Sequence, residues 1–98
     1  MASCIQLEAF TDKLEQAYAI LDLSGASARR LTAVRSLIRP YSSDEMPTEA
    51  ARSLWIQFTG SLLRLGTASA TPADLHDLRI LIHRLRLAIL AYLDDAAP

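Results

Sequence analysis

Two histidines, His76 and His83, a lone cysteine, Cys4, and scattered carboxylates and hydroxyls are the groups in this chain that could ligate a metal, carry a phosphoryl group or act as a nucleophile. Their spacing limits each of these roles. On one helix His76 and His83, seven residues apart, would be separated by about 10 Å along the axis, too far for one ion to bridge. Helical ligand pairs fall at i, i+3 or i, i+4, and Asp77 completes no ligand set. Cys4 can form neither an internal disulfide nor a cysteine-based metal site within one chain. Most Ser and Thr residues sit at helix starts and turns, and there is no glycine-rich phosphate loop. The expectation is a non-enzyme with no catalytic residues, no metal, no cofactor and no small-molecule substrate.

The elements that must carry these residues are helical. Apolar residues recur at steps of three and four along four segments, and no strand-like alternation interrupts them. The first helix is predicted near 5–23, with Leu7, Phe10, Leu14, Ala17 and Leu21 inward and Ser24-Gly25 as its stop. The second, near 27–39, is capped by Ser27, turns Leu31, Val34 and Ile38 inward, and cannot continue past Pro40. A polar, acidic loop at 41–46 precedes a third helix near 45–65, which begins between Asp44 and Thr48 with Pro47 in its first turn. Its inward stripe is predicted as Ala51, Leu54, Phe58, Leu62 and Leu65. Gly60 in its middle marks either a tolerated defect or a crossing too close for a Cβ. Trp55 either widens that stripe or joins Ile56 and Leu63 as an exposed anchor for a partner.

After a small-residue turn at 66–70, Thr71-Pro72-Ala73-Asp74 reads as a helix start: Thr as cap, Pro in the first position, an acid in the third. The fourth helix, near 72–94, has two apolar stripes. Leu75, Leu78, Ile82, Leu85, Ile89 and Tyr92 form one; His76, Ile80, His83, Leu87 and Leu90 form another about half a turn away, flanked by Arg79, Arg84 and Arg86. A small domain has one core, so the second stripe calls for a cover outside it. The predicted architecture is one all-α domain over 1–98, a small four-helix antiparallel bundle open to completion by dimerisation, with a three-helix core crossed at one end by the short second helix as the variant.

Two short stretches resemble known functional motifs. His76-Asp77-Leu78-Arg79 resembles the His-x-Leu-Lys/Arg core of histidine phosphotransfer domains and the start of the sensor-kinase phosphoacceptor box, which implies His76 as phosphoacceptor on a helical bundle. Ile80 stands where the phosphotransfer pattern has Gly, and Ile80-Leu81 where the kinase box has a polar residue and Pro. Residues 23–31 look like the turn and recognition helix of bacterial helix-turn-helix proteins. That resemblance implies DNA contacts from the 24–39 segment, with Arg29 and Arg30 facing the groove and Arg35 the backbone. Ser24 replaces the usual inward apolar residue, and the preceding helix carries Glu8, Asp12, Glu15 and Asp22.

Composition orders these alternatives. The net charge is -1 and the pI near 6.0, so no basic surplus drives counterion release, and nucleic acid is not the expected partner. Charges interrupt every long apolar run, which excludes an ordinary membrane-spanning helix. Residues 1–10 show neither a basic region followed by an apolar run nor Gly at position 2, so a cytoplasmic location is expected. The Arg-dominated, Ala-rich usage points to a GC-rich bacterial genome. Hydrophobic residues make up 51% of the chain, with a mean hydropathy of +0.18, rich for a domain this small. The leading expectation is a protein–protein interaction module: a regulator, adaptor, anti-activator or chaperone-like protein that self-associates or binds another protein. Its expected interface residues are Ile80, His83, Arg84, Leu87, Leu90 and Trp55.

Overall fold

Proline and threonine set where the helices begin and end. In the computed structural model, which describes residues 4–22, 27–65 and 70–96, α1 spans Cys4–Asp22, α2 Ser27–Ile38, α3 Glu49–Leu65 and α4 Pro72–Ala96. Pro40 follows the end of α2, and the chain turns there, with the Tyr41 amide donating to the Ile38 carbonyl at 3.0 Å. A 3-10 turn at Ser43–Glu45 comes next. Helix α3 starts at the late end of the predicted 44–48 window, because Thr48 caps it. The Ala51 amide donates to Thr48 Oγ1 at 3.1 Å, and the Arg52 amide to the Thr48 carbonyl at 2.9 Å. Pro47 therefore lies just outside the helix, not in its first turn. The Ser24-Gly25 stop, the hydroxyl of Ser27 and the turn at 66–69 lie outside the described residues.

The four helices form an all-α bundle around one core, 44 × 21 × 21 Å in extent. The predicted inward stripes of α1 and α2 are all buried, as are Leu75, Leu78, Ile82, Leu85 and Ile89 of α4; Tyr92 is half-buried. On α3 the inward face is rotated from the predicted one. Ala51, Trp55, Phe58 and Leu62 are buried, while Leu54 and Leu65 are only half-buried. The aromatic rings account for this rotation. The Trp55 ring meets Phe10 of α1 edge-on at 5.4 Å between centroids, and the Tyr41 ring lies tilted against Phe10 at 4.4 Å. These rings, with Phe58, fill the end of the bundle that α2 is too short to reach. Met46, in the segment predicted as a polar loop, is also buried there.

Helix α1 packs closely along α2 and α4, and α3 along α4. Two ion pairs, Asp22 with Arg79 and Glu15 with Arg86, join α1 to α4. Moving seven residues back along α1 moves seven forward along α4, so the two helices run antiparallel. Helix α2 buries Leu31, Val34 and Ile38 in the shared core but leans on α1; it does not pack closely along α3. Among the described residues no helix is long and apolar enough to cross a membrane.

The start of α4 forms the reciprocal cap that the sequence predicts. The Asp74 amide donates to Thr71 Oγ1 at 3.1 Å, and the Thr71 amide donates to Asp74 Oδ2 at 2.9 Å. The Thr71 amide, then its hydroxyl, hold the Asp74 carboxyl below the usual aspartate range against a small opposing effect of burial; the Arg64 guanidinium adds to the lowering. A depressed carboxylate stabilises the fold above its unfolded pKa, and that contribution is lost as pH falls through the folded value. Thr71→Ala should cost about 1 kcal/mol in denaturant unfolding. In an NMR titration it should bring the Asp74 midpoint part of the way back toward the ordinary aspartate range.

Gly60 has open space where a Cβ would stand, which rules out the close crossing. Gly60→Ala should therefore stabilise the protein by about 1 kcal/mol, read as a rise in Tm of roughly 4–8 °C for a domain of this size. An unchanged or lowered Tm would contradict the open-space reading.

Candidate functional site

The second stripe of α4 lies on the outside of the bundle. Leu87 is 50% exposed, and Ile80 and Leu90 are exposed to a lesser degree. His76, His83 and Arg84 are also exposed and share this side of the helix. The geometry follows from helix periodicity. With Ile82, Leu85 and Ile89 turned to the core, residues about half a turn away must face out. The α1–α4 seam then sets what borders the stripe. Glu15–Arg86 and Asp22–Arg79 close its α1 side with opposite charges, so two of the three flanking arginines are neutralised within the chain.

Tyr18 of α1 extends the stripe across the seam. It is 41% exposed and shares a shallow concavity of about 250 Å³ with His76, Ile80 and His83. A second hollow of about 410 Å³ lies between the helices, bounded by Glu15, Ala19, His83 and Arg86. The result is a ridged surface with an aromatic ring and three aliphatic side chains, two imidazoles and a charged rim. Sequence reasoning missed Tyr18. Its one signal was its place immediately after the inward Ala17, about 100° round the helix, which turns it away from the core.

Trp55 does not belong to this surface. It is 4% exposed, with its ring against Phe10 and Phe58, and so is a core residue. Ile56 and Leu63, the neighbours proposed for it, are exposed on the far side of α3.

His76 is exposed in the second turn of α4, with Nδ1 3.4 Å from Nη2 of Arg79. Among the described residues no three His, Cys, Asp or Glu side chains gather into a metal-binding group.

The arginines of α2 do structural work. Arg30 Nη1 donates to the Leu21 carbonyl at 3.1 Å, and Arg35 Nη2 donates to the Leu62 carbonyl at 2.8 Å. Both acceptors lie in the last turns of their helices, where carbonyls lack intrahelical partners and the helix dipole favours a cation. Arg30 thus caps the end of α1, and Arg35 the end of α3. Of the three arginines in the DNA-binding reading, Arg29 is exposed, and Arg30 and Arg35 are half-buried. Glu15 and Asp22 of α1 pair with arginines of α4.

No protein-family model, curated protein or solved structure matches the chain. The capping geometry makes a direct prediction. Arg30→Ala and Arg35→Ala should each cost about 0.5–1.5 kcal/mol in urea unfolding, and Arg29→Ala should change stability by less than about 0.5 kcal/mol. Equal effects from all three would show that the carbonyl contacts carry no stability.

Proposed function

We propose that this protein is a non-catalytic, helical protein–protein interaction module of the cytoplasm that pairs with a second copy of itself through the outer face of α1 and α4. The supporting observation is the exposed row of Ile80, Leu87 and Leu90 beside Tyr18. A contiguous apolar row rimmed by charge is what a small monomer avoids and an association surface requires. In a symmetric pair each residue of the row contributes twice, because the same patch serves both subunits. Full burial of a large aliphatic side chain is worth about 1.5–3 kcal/mol, and the half-covered side chains here have a fraction of that still to gain.

The rim gives the contact its selectivity. Arg84 and His83 lie beside the apolar row, where charges tune encounter and partner choice more than affinity. The cytoplasmic assignment rests on the lone cysteine and on the charges that interrupt each helix. A regulator or adaptor built this way acts by presenting or masking a surface, with no chemistry at the site.

Sedimentation equilibrium at micromolar concentration should give twice the 10.8 kDa chain mass. Leu87→Arg should give the chain mass itself, with unchanged helicity by circular dichroism, since the site is half exposed in the single chain. A parent protein that sediments as a monomer would overturn the proposal.

A further inference from the structure

The bundle has a second opening, on the edge opposite the α1–α4 seam. Helices α2 and α3 do not pack closely along each other, and a groove of about 450 Å³ lies between them. That volume falls in the range of small-molecule sites. Ile38, Trp55 and Leu62, all buried, together with the half-buried Tyr41, make an apolar floor. Leu63, 82% exposed, stands on its rim and is the most exposed of the large hydrophobic residues described.

Among the described residues, the charged groups lining the groove are Arg35 and Arg39, and no carboxylate lines it. Arg35 reaches across from α2 to the Leu62 carbonyl of α3, so its guanidinium is fixed where it crosses the seam. Arg39 is exposed, and its guanidinium makes no ion pair among the described residues. The floor from Trp55 to Leu63 covers about 12 Å along α3, by the helical rise. With Arg35 crossing one end and Tyr41 at the other, the groove suits a short ligand better than a helix laid along the seam.

We propose that this groove binds a small amphiphilic anion, a medium-chain carboxylate in the simplest case, with its head group at Arg39 and Arg35 and its apolar body on Trp55, Leu62 and Leu63. Guanidinium groups beside an apolar trough provide charge-assisted hydrogen bonds for the head, and the trough removes the tail from water. A cationic amphiphile of the same length meets the same trough and the wrong charge. This site is separate from the α1–α4 face and does not depend on it.

Trp55, the sole tryptophan of the chain, lies in the floor and reports on occupancy. Its fluorescence is followed during titration with decanoate and, in parallel, with decyltrimethylammonium, both below their micellar concentrations. The expected result is a saturable change with decanoate, at least about tenfold tighter than with the cation, and a loss of about tenfold in decanoate affinity in Arg39→Glu. Arg39→Gln should fall between, and Leu87→Arg should bind as the parent does, so that failure of this site and failure of the α1–α4 face are told apart. Equal binding of the two amphiphiles, no saturable response to decanoate, or an Arg39→Glu variant that binds like the parent would overturn the proposal.

Discussion

Helix α4 can bury only one of its two apolar stripes, and the rest of the molecule is arranged around that limit. Its core stripe packs against α1 on one side and α3 on the other, and these two seams carry most of the close helix packing. A helix flanked by two neighbours still shows solvent a strip about half a turn from the core. In a monomer that strip is ordinarily polar. Here it carries Ile80, Leu87 and Leu90, with Tyr18 added from α1 across an antiparallel register held by two ion pairs.

The same seams explain the opposite edge. Helix α2, 12 residues against 25 in α4, is cut short by Pro40 and leans on α1. The space left beside α3 is partly filled by Tyr41 and Met46 from the connecting segment, and partly left as a groove. Arginine ties the short α2 to both of its neighbours. Arg35 crosses from α2 to the last turn of α3, and Arg30 from α2 to the last turn of α1, each meeting carbonyls that have no helical partner. A lysine at either place would keep the charge and lose the planar fork that suits a fixed donor.

Helix periodicity made most of the fold legible in the sequence. The inward stripes of α1 and α2, the reciprocal Thr71–Asp74 cap and the outward placement of Ile80, Leu87 and Leu90 all follow from spacing and local chemistry. What escaped was set by contacts between distant segments. Trp55 lies next to Leu54 in sequence, and only the Phe10 ring across the bundle decides which of the two turns fully inward. The start of α3 moved to Thr48 because a threonine hydroxyl satisfies a helical amide that Pro47 cannot. The α2 arginines read as solvated, with DNA contacts as the alternative, since nothing local shows that carbonyls of α1 and α3 lie within their reach.

The account depends on the outer face of α4 being covered in solution. Methyl NMR spectra recorded over a dilution series test this at the residues themselves. The account predicts that Ile80, Leu87 and Leu90 shift together as the protein is diluted, while Ile56 and Leu63 hold still. Lines for Ile80, Leu87 and Leu90 that do not move at any concentration, in a particle tumbling as a single chain, would contradict it.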